Sequence, residues 1–273
     1  MKWIRTVRAL RAALDPLRSR GIGFVPTMGA LHRGHTALFD LARRECGVVV
    51  ASIFVNPKQF NDPSDLAAYP RTEAEDGELA AAHGVDVLFV PPPDEVYPSG
   101  FATQVTVGGV ALGYEGAFRP GHFDGVATVC VKLFGMVQPA RAYFGQKDAQ
   151  QVAVIRQVVR DLNLPLDIRV GPTVRDDDGL ALSSRNVRLS ADERRRALAI
   201  PRALAAGLRA FREGRDPAAA AREVLAAAGL EFEYADVADF AGEPTLVVAV
   251  RAGATRLIDN VPLRDPQAAG LQV

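Results

Sequence analysis

The tightest constraint on the fold is the apolar run from Val48 to Val55. A strand that is apolar at successive positions needs cover on both faces, which is the setting of a parallel strand between two helix layers. Its neighbours alternate in the same way. Gly23-Phe24-Val25-Pro26 reads as a strand end, Gly34 to Arg44 as a helix, Val85 to Val90 as a strand stopped by Pro91-Pro92-Pro93. Gly125 to Val137 reads as a helix, Ala142 to Phe144 as a strand, Ala149 to Leu162 as a helix and Ile168 to Val174 as a strand. Thr72 to His83 reads as a further helix, with Thr72 and Glu75 spaced as a capping box and Gly84 at its end. At the N-terminus Ile4, Val7, Leu10, Leu14 and Leu17 fall at helical spacing before a strand that starts at Ile22.

Strand–helix alternation implies an α/β fold: a Rossmann-like, doubly wound parallel sheet. The character changes after Asp176, where one long helix is expected from Ala191 to Glu213 behind Ser190 as cap, then a helix from Pro217 to Ala228. Strand-like runs follow at Phe232 to Val237, Thr245 to Val250 and Thr255 to Ile258. We expect a main domain over 1–175 and a smaller α+β C-terminal domain over 176–273.

Bulk properties exclude several classes. Lys plus Arg and Asp plus Glu both number 32, so no broad basic surface for nucleic acid is expected. No apolar stretch reaches the length of a membrane span. Cys46 and Cys130 sit in or after apolar runs, without zinc spacing, and are expected as buried thiols. The N-terminus is Arg-rich like a transit peptide, but the early start of the fold favours a cytoplasmic protein without one.

Four segments carry chemistry. Pro26 to His35 joins the first strand to the first helix, the ligand end of an open α/β sheet. Gly29 permits a tight turn, Gly34 a close ligand approach, and the helix start offers N–H donors that suit phosphate. His32 and His35 are spaced to share one side of that helix start and to donate to phosphate oxygens. In Asp178 to Asn186 the Ser183 and Ser184 hydroxyls and the Arg185 fork suit a pyrophosphate. Phe144 to Asp148 ends a strand, with Lys147 for phosphate and Asp148 for a ribose hydroxyl, and Val55 to Phe60 brings two amides, Asn56 and Gln59, that suit a small hydroxylated acid. Glu75 and Asp76 read either as water-mediated magnesium contacts or as exposed helix charges.

Together these segments resemble the pantothenate synthetase (pantoate–β-alanine ligase) family, a branch of the His-x-Gly-His nucleotidylyltransferases. Tyr69 to Thr72, Arg119 to Phe123 and Gln150-Gln151 extend the match, which runs from about Arg8 to Asn260. The resemblance implies ATP-dependent joining of pantoate to β-alanine through pantoyl adenylate, with Mg2+ accompanying ATP, a C-terminal lid and a homodimer. It implies an ATP site lined by Met28, Gly29, Ala30, Leu31, His32, Arg33, Gly34, His35, Gly145, Gln146, Lys147, Asp148, Val174, Leu182, Ser183, Ser184 and Arg185. His35 would be the catalytic donor, Gln59 and Gln151 would bind pantoate, and Gln59 would also reach β-alanine; the metal ligands stay unassigned. Where the family often has Glu, this chain has Gln146, which removes a charge but leaves Lys147 and Asp148 in place. A cofactor adenylyltransferase would not need the amide pocket. A tRNA synthetase would need an anticodon domain, and a non-enzymatic nucleotide regulator would need neither both histidines nor the Ser-Ser-Arg-Asn segment.

Overall fold

The computed structural model describes residues 1–240 and 242–271. The chain forms two compact units. One comprises Met1–Leu31, His35–Phe144 and Gln150–Gly171; the other comprises His32–Gly34, Gly145–Ala149 and the chain from Pro172 onward.

The N-terminal unit is built on a six-stranded parallel sheet. Its strands are β1 (Lys2–Ile4), β2 (Ile22–Thr27), β3 (Val48–Ile53), β4 (Val87–Phe89), β5 (Arg141–Gly145) and β6 (Asp167–Gly171). Their order is β1-β4-β3-β2-β5-β6. Alternate residues of β3 explain the apolar run, which Ser52 alone interrupts. Val48 and Val50 enter a cluster with Phe24, Leu133 and Ile155, whereas Val49, Ala51 and Ile53 enter another with Val25, Leu38 and Phe39. Both faces of the strand are thus under helices, as two-sided apolarity requires. The strand order reverses direction between β2 and β5, the position at which open α/β sheets bind ligands beyond their carboxyl ends.

The C-terminal unit has an antiparallel sheet, β7 (Glu231–Asp239), β8 (Pro244–Ala252) and β9 (Thr255–Pro262), in that order. Leu246, Val248 and Val250 of β8 pack with Ile200, Leu204 and Leu208 of the Ala199–Arg212 helix and with Leu225 of the Pro217–Ala227 helix. Cys46 and Cys130, both in the N-terminal unit, are buried thiols as expected, and burial pushes Cys130 up to about 12.

Three local expectations are corrected. The long helix from Ala191 is two helices, Ala191–Ala197 and Ala199–Arg212, because Pro201 has no N–H and its ring collides with the carbonyl four residues back, that of Ala197. Ser190 does cap the first of these, in a full capping box with Glu193. Thr72 forms no such box: its ψ of 49° lies outside the extended region from which a capping side chain reaches the helix, and its hydroxyl caps nothing. Ile4 belongs to the short edge strand β1, so the first helix starts only at Val7, behind Thr6.

Candidate active site

The loop after β2 is held by side chains that engage its backbone donors. Thr27 Oγ1 accepts the Gly29 N–H at 3.2 Å and donates to the Ser52 carbonyl at 2.6 Å. Asp76 Oδ2 accepts from Ala30 N at 2.9 Å, and Oδ1 from Leu31 N at 2.7 Å. Gly29 has a φ of +83°, and a Cβ there would lie 2.9 Å from the Asp76 carboxylate, so glycine is needed for the turn and for the approach of the acid. Ala30 also has a left-handed φ, +51°, a costly conformation for a residue with a Cβ. The loop is therefore a strained turn fixed by one buried carboxylate. Asp76 is 3 % exposed, not an exposed helix charge, while its neighbour Glu75 faces solvent. Among the described residues, no three His, Cys, Asp or Glu side chains converge as metal ligands do.

The histidines differ in setting. His35 lies in the first turn of the Arg33–Glu45 helix and is half-buried. His32 precedes that helix, so helical spacing does not aim it; its Nδ1 accepts the Gly34 N–H at 3.1 Å. That bond assigns the ring proton to Nε2, leaving Nε2–H as the donor. A Cβ on Gly34 would come within 2.9 Å of the His32 ring, so this glycine makes room for the imidazole. The Gly34 N–H is likewise taken up by His32, so it is not an open donor at this helix start.

The amide cluster also lies in the N-terminal unit. Gln59, after β3, donates from Nε2 to Met28 Sδ at 3.1 Å, which joins the Val55 to Phe60 segment to the loop after β2. Its Oε1 accepts from Asn56 Nδ2 at 2.9 Å. Asn56, 1 % exposed, also donates to the Gly125 carbonyl at 3.1 Å and accepts from the Tyr97 hydroxyl at 2.8 Å. Sequence reading paired the two amides as equals; Asn56 in fact orients Gln59. From the other side His122 Nδ1 donates to the Gln59 carbonyl at 2.9 Å, and Arg119 contacts that same carbonyl at 3.4 Å. Gln151 stands half-buried in the first turn of the Ala149–Asp161 helix. Its neighbour Gln150 is occupied by the backbone of Val110, Gly113 and Glu115.

The C-terminal unit gathers His32, Arg33, Lys147, Asp148 and the segment after Val174. Burial, and after it the Lys147 ammonium, pushes the His32 imidazole down to about 4, against weaker opposition from Asp148 and Asp176. Lys147 Nζ is 3.9 Å from Asp148 Oδ1. Gly145 has open space where a Cβ would stand. Leu182 N donates to the Val174 carbonyl at 3.0 Å, beside an Arg175–Ala181 bridge, and Ser183 Oγ accepts the Arg185 N–H at 3.2 Å before the Ser184–Arg188 turn. Arg33 is exposed and paired with Asp176 at 2.8 Å; Arg194 first, and Arg33 after it, hold the Asp176 carboxyl below the usual carboxylate range. Nothing in the sequence marked Asp76, His122 or Asn260 as supports, because each meets its target across dozens of residues.

A parallel α/β sheet with ligand loops at its switch point, accompanied by a small antiparallel unit, defines a two-unit α/β enzyme of the nucleotide-handling kind. The chain belongs to the pantoate-beta-alanine ligase family, whose model matches residues 2–262. It is 51 % identical over 275 residues to the pantothenate synthetase of Cereibacter sphaeroides, covering 95 % of this chain and 99 % of that one. The pantothenate synthetase of Thermus thermophilus has the same fold, with a TM-score of 0.92 at 46 % identity over 96 % of this chain and 99 % of that one. A pantoate-beta-alanine ligase from Francisella tularensis, solved in complex with beta-gamma ATP and beta-alanine, gives 0.84 at 35 % identity over 97 % and 98 %.

Proposed function

We propose that this chain condenses pantoate with β-alanine using ATP, releasing AMP and pyrophosphate. The observation that carries this reading is the Gln59–Met28 contact, which sets an amide suited to a hydroxy acid against the loop suited to ATP within one unit. Family membership over almost the whole chain supports it.

In the first step a pantoate carboxylate oxygen attacks the α-phosphorus, the bond to the β-phosphate oxygen breaks, and pyrophosphate leaves. Charge builds on the leaving phosphates, so prepared donors are the main requirement. Met28 to Leu31, Gly145 to Asp148 and Val174 hold the nucleotide. His35, the neutral Nε2–H of His32, Lys147, Ser183, Ser184, Arg185 and Leu182 meet its phosphate side, and Gln59 and Gln151 align the acid for in-line attack. In the second step the neutral amine of β-alanine, near Gln59, attacks the acyl carbon, the carbon–oxygen bond to the phosphate breaks, AMP leaves with that oxygen, and the nitrogen gives one proton to the departing phosphate or to water. Mg2+ accompanying ATP would offset phosphate charge.

The C-terminal unit serves as a lid against hydrolysis of the adenylate, with Asp176 to Asn186 as its phosphate-sensing segment. The family resemblance implies a homodimer that works in the cytoplasm. No described helix is long and apolar enough to cross a membrane. AMP release that needs both pantoate and β-alanine tests the reaction. The His35→Ala variant is expected to lose pantoate-dependent pyrophosphate exchange and keep pantoate binding; near-normal exchange would remove His35 from its role.

A further inference from the structure

Asn260 on β9 is 2 % exposed, and its amide is fully engaged. Nδ2 donates to the carbonyls of Gln146 at 3.0 Å and Lys147 at 2.9 Å, and Oδ1 accepts from Gln146 Nε2 at 3.0 Å. All of these residues lie in the C-terminal unit. The Gln146–Asp148 turn is a single 3-10 turn, too short to satisfy its own carbonyls, so it takes its geometry from whatever accepts or donates beside it. The amide has one possible orientation: turned over, its oxygen would face two carbonyl oxygens. Asn260 is itself fixed. Its N–H donates to Asp259 Oδ1 at 2.8 Å, Asp259 is clamped by both terminal nitrogens of Arg175 at 2.7 and 3.1 Å, and β9 is in register with β8 through Val247.

We propose that Asn260 is a positioning residue for Lys147: it locks the turn that carries Lys147, with the Gln146 side chain as the second half of the lock, so that the ammonium meets the leaving phosphates. The inference rests on the ligase reading above. It assigns Gln146 a task inside the protein, as the donor that orients Asn260, in addition to its place at the nucleotide.

The test is pantoate-dependent pyrophosphate exchange on the full chain. Asn260→Ala should lower kcat/KM for ATP at least tenfold and leave KM for pantoate within twofold. Asn260→Asp keeps the volume and the acceptor but turns an oxygen onto both carbonyls, so it should lose as much. In a Lys147→Ala background, Asn260→Ala should cost less than a further twofold, because the group it positions is gone. Gln146→Ala removes one bond of the lock without opening the core and, should the Asn260 variants fail to fold, is expected to give a smaller loss with the same dependence on Lys147. Near-normal exchange in the Asn260 variants, or losses that multiply those of Lys147→Ala, would overturn the proposal alone. Absence of pantoate-dependent exchange in the unaltered protein would overturn the ligase reading and this proposal with it.

Discussion

Asp76 holds the backbone of Leu31 across 45 residues of sequence, its Oδ1 accepting the Leu31 N–H at 2.7 Å while Oδ2 takes Ala30. The pair explains how a loop with two successive left-handed residues, Gly29 and Ala30, persists in one conformation. Asp76→Ala leaves two backbone donors without a partner. We expect a loss of ~2–4 kcal/mol in stability and a rise of at least tenfold in KM for ATP. Asp76→Asn keeps one acceptor and should recover part of both. Urea unfolding with ATP titration of the two variants checks this.

His32 gives a signed pH dependence. Its imidazole titrates near 6.5 unfolded and near 4 folded, so between those values the unfolded chain binds more protons. Stability therefore rises with pH across that window and His32 contributes no slope above it. The accumulated penalty below pH 4 is bounded by roughly 3 kcal/mol. His32→Gln should narrow the difference in unfolding free energy between pH 4.5 and 7; an unchanged difference would contradict the buried neutral imidazole.

On the proposed reading, in which Gln59 binds pantoate, Asn56 acts on that acid by orienting Gln59. Asn56→Ala frees the Gln59 Oε1 and leaves the Gly125 carbonyl and Tyr97 hydroxyl without their partner. It should weaken pantoate binding about as much as Gln59→Ala, with ATP affinity little changed in both. The double variant should bind no worse than the weaker single one, which calorimetry of pantoate binding can read.

The Arg175–Asp259 pair is a stability element of the C-terminal unit. Both side chains are buried, and Arg175 also donates to the Gly179 and Ala269 carbonyls. Arg175→Ala strands a buried carboxylate and should cost ~3–5 kcal/mol. Asp259→Asn keeps a neutral acceptor and should cost less. Equal midpoints in denaturant for the two variants would count against a buried charge as the cause.

The motifs were legible because they are local. Pro26 to His35, Val55 to Phe60, Gly145 to Asp148 and Ser183 to Arg185 each hold their chemistry in a few adjacent residues, and the apolar run at Val48 to Val55 announced a doubly covered parallel strand. Helix ends were less legible where one residue overrode the pattern. The Ala191 to Glu213 periodicity continues through Leu198, yet Pro201 interrupts the helix there. Thr72 and Glu75 have the spacing of a box without the dihedrals for it.

By itself, then, the sequence determined the parallel α/β architecture, the side chains available to the proposed ligands, and the place of Pro26 to His35, Val55 to Phe60 and Gly145 to Asp148 at strand ends. Only the tertiary structure decided how those side chains are held. Asp76 is a solvated helix charge by composition and a buried backbone acceptor by position. Gly34 is space for His32, Asn56 orients Gln59, and Asn260 locks the Lys147 turn. The physical reason is common to all of them. A buried polar group must find a partner, and which partner lies within about 3 Å depends on contacts between segments far apart in the chain.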